Sequence, residues 1–281
     1  MSGTLFVVAT PIGNLEDITL RALRVLREVD VIAAEDTRRT GKLLAHYAIS
    51  TPTISFHEHN SRSRLPVLLA KLESGAKVAL VTDAGTPGIA DPGVALVREC
   101  WRHSIPVDPV PGASAPLAAA VAAGFPLDPL TIYGFVPARS KDRNAWLRRL
   151  QGNTATLVFF EAPHRILKTL GEIPSVFGDR PISVARELTK LHQQVIQGDA
   201  EHIIGQLTNT RGEFTVVIGP TIAASAGAGD EPDQSIYDEF CHMTDCGLGR
   251  RAAITALAEK YGRTTKQVYS AIELVKKSAE S

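Results

Sequence analysis

Neither sign of charge prevails in this chain: its 281 residues carry 30 basic and 30 acidic side chains. A zero sum offers no case for a bulk polyanion binder. It leaves an RNA partner open, because the placement of charge decides that rather than its total. Cysteine is scarce. Cys100, Cys241 and Cys246 are an odd number without framework spacing, which excludes a disulfide scaffold and suits a reducing compartment. Cys241-His242 with Cys246 lacks a second ligand pair, so no metal site is expected. A long hydrophobic run is missing too. The longest small-apolar stretch, Ala113–Leu127, is interrupted by Pro116 and Pro126 and is too short to span a bilayer. With no signal-peptide pattern before the first apolar run, the expectation is a cytoplasmic protein with no membrane partner.

The dinucleotide fingerprint G-x-G-x-x-G is absent from the place where it would sit. Leu5–Val8 reads as a buried strand and runs into Thr10-Pro11-Ile12-Gly13-Asn14. That turn lacks the glycines that let a helix N-terminus approach a pyrophosphate, which argues against a nucleotide-dependent dehydrogenase.

What is present is a clean alternation of strand and helix patterns. Strands are expected at Leu5–Ala9, Val31–Ala34, Thr53–Phe56, Val78–Thr82 and Val107–Val110. Helices are expected between them at Leu15–Glu28, Thr40–Tyr47, Arg64–Glu73 and Gly93–His103. Repeated units of this length predict an α/β fold with a mostly parallel sheet over 1–113. An Ala-rich helix over 114–123, capped by Ser114 and closed by Gly124, opens a second α/β domain over 114–222. Its strands fall at Leu130–Phe135, Ala155–Phe160, Ile182–Ala185 and Phe214–Ile218, with helices near 141–150 and 163–176. A small-residue and acidic tract over 223–235 reads as a linker, and 236–281 reads as a helical domain.

Ligands of an open parallel sheet bind beyond the carboxyl ends of its strands, and this chain places its oddest polar residues there. The first strand exits into the Pro11–Asn14 turn and the second into Glu35-Asp36-Thr37-Arg38. The third exits into His57-Glu58-His59-Asn60, the fourth into Asp83–Gly93, and the fifth into Pro111-Gly112-Ala113-Ser114. Each has a plainer reading. Asp36 or Thr37 and Ser114 can be helix caps, and the histidines can be solvated. The Asp83–Gly93 segment is longer than a βα connection needs, and long loops at this rim tend to be functional. The second domain repeats the habit with Glu161-Ala162-Pro163-His164-Arg165 and Arg186-Glu187-Leu188-Thr189-Lys190, which serve equally as ion pairs or as walls of a shared cleft.

Together the segments TPIGNLEDIT, AEDTR, HEHN, VTDAGTPGIADPG, VPGAS, FFEAPHR and ARELTK resemble the ribosomal RNA small subunit methyltransferase I family over essentially the whole chain. The resemblance implies a tetrapyrrole-methylase fold with S-adenosylmethionine between two α/β domains. It implies 2′-O-methylation of a cytidine in the decoding region of 16S rRNA, within the small ribosomal subunit, by a homodimer. Carried over by motif, the cofactor would meet Pro11, Gly13, Asn14, Asp83, Ala84, Gly85, Thr86, Ser114 and Ala115. From the second domain it would meet Glu161, Ala162, Arg186, Glu213 and Phe214.

A ribose hydroxyl needs a general base, for which Glu35 and Asp36 are the candidates. His57, His59, Asn60 and Arg38 would orient the acceptor. RNA contacts are expected on Arg139, Lys141, Arg143, Arg148 and Arg149, within a segment that also reads as a solvated helix face. They are expected as well on Arg250, Arg251, Lys266 and Tyr269 of a C-terminal helix-turn-helix pattern. The alternatives are a tetrapyrrole methyltransferase of the cobalamin or sirohaem routes and a non-catalytic RNA-binding assembly factor.

Overall fold

The computed structural model describes residues 2–89, 91–221, 233–245 and 247–279. The first half is the expected parallel sheet. Strands β1 (Thr4–Val8), β2 (Val31–Ala34), β3 (Thr53–Ser55), β4 (Lys77–Val81) and β5 (Val107–Val110) lie in the order β3-β2-β4-β1-β5, every pair parallel. All of β2 is buried, as a central strand covered on both faces must be. The helices α1 (Leu20–Glu28), α2 (Thr37–His46), α3 (Ser61–Glu73) and α4 (Gly93–Arg102) connect the strands.

The continuous helix expected over Leu15–Glu28 is divided. A single 3-10 turn, Leu15–Asp17, precedes α1, because the Thr19 hydroxyl accepts from the Ala22 amide at 3.0 Å and starts a new helix there. At the far end of α2, the Tyr47 hydroxyl donates to the Leu15 carbonyl at 2.6 Å and holds that turn in place.

Helix α5 (Ala115–Ala123) ends on Gly124, whose φ of 65° suits the left-handed C-cap. Its small residues Ala119, Ala120 and Ala123 pack on Val158, Ala185 and Val217 of the second sheet. That sheet comprises β6 (Leu130–Phe135), β7 (Thr156–Glu161), β8 (Ile182–Arg186), β9 (Gln194–Gly198) and β10 (Phe214–Ile218), in the order β6-β7-β10-β8-β9. Only β6 and β7 run parallel; the other pairs are antiparallel. Strand β9 and helix α9 (Ala200–Gln206) were not expected from sequence. QVIQG offers one buried residue, Ile196, so it carries no clear period-two signal. The helices α6 (Ser140–Leu150), α7 (Ile166–Glu172) and α8 (Pro174–Phe177) complete this half. Both sheets belong to one compact unit, Met1–Pro220.

The second unit spans Thr221–Ser281, and its described elements are all helices. Helices α10 (Asp233–Asp245), α11 (Arg250–Tyr261) and α12 (Thr265–Ala279) bury Ile236, Phe240, Ala253, Leu257, Val268 and Ile272 in their own core. Gly262, at φ 60°, ends α11 and turns the chain toward α12. Of the expected linker, 223–232 lies outside the described residues, as does Cys246. Helix α10 already begins at Asp233, three residues before the expected start of the helical segment.

Candidate functional site

Beyond the carboxyl ends of β1, β2 and β4 a cavity of about 390 Å³ opens between the two sheets of the first unit. Its position is set by the loops. The Thr10 amide donates to the Gly85 carbonyl at 2.9 Å and the Gly85 amide returns a bond to the Thr10 carbonyl at 3.0 Å, stitching the first exit to the fourth. Gly85 sits at φ 83°, and a Cβ there would come within 3.3 Å of the Ile12 side chain, so glycine serves both conformation and space.

The loop after β4 is then held by Asp91. Its carboxylate accepts from the Gly88 amide at 2.7 Å and the Gly93 amide at 2.8 Å, just ahead of α4. Burial raises the Asp91 carboxyl despite these bonds.

The floor of the cavity is acidic. Glu35 accepts from the Thr82 hydroxyl and, at 3.2 Å, from the Asp83 amide. The Asp83 carboxylate accepts from the Asp36 amide at 3.0 Å and lies 3.4 Å from the Arg39 guanidinium. Burial, reinforced by the Glu35 charge, pushes the Asp83 carboxyl above its ordinary value, with Arg39 opposing. The other side is apolar, with Ile12, Ile89, Phe135, Phe160, Leu188 and Phe214 exposed to the space.

The expected cofactor residues Asp83, Ala84, Gly85, Thr86, Ser114, Ala115, Glu161, Ala162, Glu213 and Phe214 all line this cavity. Ser114 stands at the N-cap position of α5, yet its side chain makes no capping bond. Glu161 is buried, and its carboxylate is engaged by Arg165 at 2.8 Å, by the Ala162 amide and by the Thr169 hydroxyl. It therefore shapes the wall. Glu213 reaches Lys190 at 3.2 Å.

Four of the expected residues lie elsewhere. Pro11 lines a smaller neighbouring cavity. Gly13 packs against the turn of the second half, where a Cβ would come within 2.5 Å of Lys190 and 2.8 Å of the Leu188 carbonyl. The Asn14 amide donates to the Thr189 hydroxyl of that same turn at 3.0 Å, and its side chain caps the Leu15–Asp17 turn. The Pro-Ile-Gly-Asn turn thus docks one half of the unit on the other, and only Ile12 faces the cavity. Arg186, itself buried, ends β8 with its Nε donating to the Arg211 carbonyl at 2.8 Å, a structural bond.

The expected catalytic set divides as well. Glu35 lines the cavity, whereas Asp36 caps α2 through the Arg38 amide and pairs with the Arg38 guanidinium at 2.7 Å. That pairing holds the Asp36 carboxyl far below the usual carboxylate range, so it is a poor proton acceptor, and Arg38 is committed to it. Asn60 ties its own loop, accepting from the His57 amide and donating to Ser55. The His57 Nδ1 is buried without a hydrogen-bond partner, its ring 5.9 Å from that of His59. Neither histidine lines the cavity.

Among the basic residues, Arg139, Lys141, Arg148 and Arg149 are exposed. Arg143 is the exception: 1% exposed, it forms a forked pair with Glu172 at 2.6 and 2.8 Å. In the helical unit Arg251, Lys266 and Tyr269 are exposed, while Arg250 pairs with Glu273 at 2.7 Å and covers the Phe240 ring. No group of three or more His, Cys, Asp or Glu among the described residues is arranged to hold a metal ion. Sequence reasoning missed Arg39, Asp91, Phe135 and Leu188 as cavity walls. Arg39 directly follows the AEDTR segment and Asp91 lies within VTDAGTPGIADPG; Phe135 and Leu188 carried no polar signal.

Residues 4–204 match the family described as Tetrapyrrole (Corrin/Porphyrin) Methylases. The chain is 45% identical over 273 residues to a protein of Synechocystis sp. named Ribosomal RNA small subunit methyltransferase I, covering 95% of this chain and 96% of that one. A Bacillus subtilis protein of the same name is 44% identical over 279 residues, covering 97% and 94%. Another, from Thermotoga maritima, is 50% identical over 218 residues, covering 98% of that protein but 77% of this chain. Among solved structures, a uroporphyrin-III-C-methyltransferase from Thermus thermophilus superposes with TM-score 0.56 at 22% identity, over 77% of this chain and 94% of that one. A form of that enzyme complexed with S-adenyl homocysteine gives 0.54 at 19% identity, over 77% and 97%. These structural likenesses speak for the fold.

Proposed function

The chain belongs to the ribosomal RNA small subunit methyltransferase I family of the tetrapyrrole methylases, and we propose that it methylates a ribose 2′-oxygen on a cytidine in the decoding region of 16S rRNA. The methyl donor is S-adenosylmethionine. The cavity fits that group: a cationic sulfonium and ammonium suit a floor carrying Glu35, Asp83 and Asp91, and the adenine and thioether carbons suit Ile12, Ile89, Phe135 and Leu188. Asp83, Ala84, Gly85 and Thr86 would hold it from the first half, with Ser114 and Ala115 beside them. When bound, it would supply a methyl group carried on a positively charged sulfur, to be passed to the acceptor oxygen with the thioether as leaving group.

What the protein must add is alignment and removal of one proton. Alignment of two reactants is worth up to roughly 7–11 kcal/mol in favourable cases. The two halves of the unit fix the cavity through the Gly13–Lys190 and Asn14–Thr189 contacts. The proton of the 2′-hydroxyl passes to the carboxylates of Glu35 and Asp83 at the cavity floor. Burial and the Glu35 charge raise the proton affinity of Asp83, the direction a general base needs. The single observation that carries this reading is that pair, which lines the floor of the cavity beside the Asp83–Thr86 loop. No described helix is long and apolar enough to cross a membrane.

The test is transfer from methyl-labelled S-adenosylmethionine to small ribosomal subunits lacking the modification, followed by alkaline hydrolysis. A 2′-O-methyl group blocks cleavage of its own phosphodiester, so the expected product is a labelled, alkali-resistant dinucleotide containing cytidine. Label released as a mononucleotide would place the methyl on the base and overturn the 2′-O reading. The homodimer is tested on the same preparation by sedimentation equilibrium.

A further inference from the structure

A second cavity, about 180 Å³, adjoins the first and shares Thr82, Asp83 and Arg39 with it. Its remaining walls come from the first exit, Thr10, Pro11 and Leu15, and from one side of α2, Thr40, Lys42 and Leu43. The walls are built. Asn14 caps the turn that carries Leu15, the Tyr47 hydroxyl holds the Leu15 carbonyl, and the Thr10 hydroxyl donates to the Thr82 carbonyl at 3.1 Å.

The two spaces differ in charge. The larger is walled by Glu35, Asp83, Asp91, Glu161 and Glu213 against Arg39 alone. The smaller has Arg39 and Lys42 against Asp83 alone. Lys42 is exposed, and among the described residues no hydrogen bond or ion pair engages it. A cation at the mouth of a cavity, left without an internal partner, is suited to an external anion, and phosphodiesters are the anions an RNA substrate brings.

We propose that the smaller cavity is the acceptor subsite: Lys42 and Arg39 take the phosphodiester flanking the target nucleotide and deliver its ribose to the junction at Thr82 and Asp83. This rests on the reading of the protein as an RNA 2′-O-methyltransferase. The charge difference separates the reactants, a cationic donor drawn to the acidic space and an anionic acceptor to the basic one. They meet where the walls are shared. The junction also carries the proton acceptor, since Asp83 belongs to both spaces. When Arg39 turns toward the phosphate, Asp83 loses the cation that faces it at 3.4 Å, and a carboxylate so released binds a proton more tightly. Acceptor binding thereby readies the base.

The experiment compares wild type, Lys42→Ala and Lys42→Glu in methyl transfer to unmodified small subunits from low to high salt, with S-adenosylmethionine affinity measured by calorimetry. Lys42 is exposed, so neither change threatens the fold. A phosphate contact gives a slope of log(kcat/KM) on log salt that is shallower by about one in Lys42→Ala. Lys42→Glu should raise KM for the RNA by roughly tenfold or more through like-charge repulsion. Cofactor affinity should stay within about twofold in both. Unchanged KM and salt slope in both variants, with an active wild type, overturns the subsite and leaves the function standing. A wild type that binds cofactor but labels no RNA overturns the function and the subsite together.

Discussion

The backbone amide of Asn14 donates to the hydroxyl of Thr189 at 3.0 Å, joining positions 175 apart in the chain. Beside it Gly13 meets the Leu188–Lys190 turn so closely that no side chain fits. Because Leu188 also lines the larger cavity, this contact transmits the docking of the two halves directly to that cavity. Gly13→Ala must displace the Leu188 carbonyl, and overpacking of this kind costs about 1–3 kcal/mol. The expected outcome is a lower Tm and S-adenosylmethionine affinity reduced by about tenfold or more, read by calorimetry. An unchanged affinity would show that the turn moves without the wall.

The carboxylate pair predicts a pH signature. Glu35→Gln removes the negative charge that helps raise Asp83, so the acid limb of the kcat profile should move to lower pH. Asp83→Asn should lower kcat by about 10²–10⁴, the usual contribution of a positioned base. Asp36→Asn, by contrast, should keep its turnover, because that carboxylate is held by Arg38 outside the cavity. Loss of turnover in Asp36→Asn with normal cofactor binding would return the base to Asp36.

Arg143 and its exposed neighbours Arg148 and Arg149 should behave oppositely. Arg143→Ala leaves the part-buried Glu172 without its forked partner, and losing hydrogen bonds to a charged group costs about 1.5–3 kcal/mol. The Glu172 carboxyl lies below its ordinary value because Arg143 binds its charged form. The stability from this pair is therefore present above the ordinary carboxylate pKa, about 4.3. It is lost as pH falls through the lower native value, and that acid dependence should weaken in Arg143→Ala. Arg148→Ala and Arg149→Ala should stay within about 0.5 kcal/mol of wild type. Urea unfolding at neutral and acidic pH separates the two classes.

Residues 221–281 form a unit with its own core, and the match to the Thermotoga maritima protein leaves part of this chain without a counterpart there. Removal of 221–281 should therefore spare S-adenosylmethionine binding. It should weaken RNA binding and lower its salt slope, through loss of Arg251, Lys266 and Tyr269. Filter binding across salt concentrations checks this. Loss of cofactor binding in the truncated chain would assign the helices to the site itself.

Cys100 is buried in the core of the first sheet, and burial pushes its thiol up to about 11. It should resist thiol reagents at neutral pH until the protein is unfolded, while the half-buried Cys241 reacts first. Mass spectrometry after brief alkylation distinguishes them.

The parallel half of the fold was legible in the residues. Apolar runs such as Val31–Ala34, buried on both sides, and helices with period-3.6 faces such as α1 carry their own structural signal. The polar exits were legible too, because an open parallel sheet puts its ligands at strand ends. The Asp83–Thr86 loop and Ser114 accordingly line the cavity.

Only tertiary structure decided which of two adjacent residues faced inward. Glu35 reaches the cavity while Asp36 turns to cap α2, and Arg39 joins the cavity while Arg38 neutralises Asp36. It likewise buried Arg143 among residues of the same charge and type that stayed in solvent. It set Gly13 against the Leu188–Lys190 turn, outside the residues lining the larger cavity. The physical reason is common to all three. Local sequence sets the backbone and the polarity of a segment. Asp36 finds its partner two residues on, whereas Glu35, Arg143 and Gly13 meet theirs on elements far along the chain, and burial makes such partners obligatory.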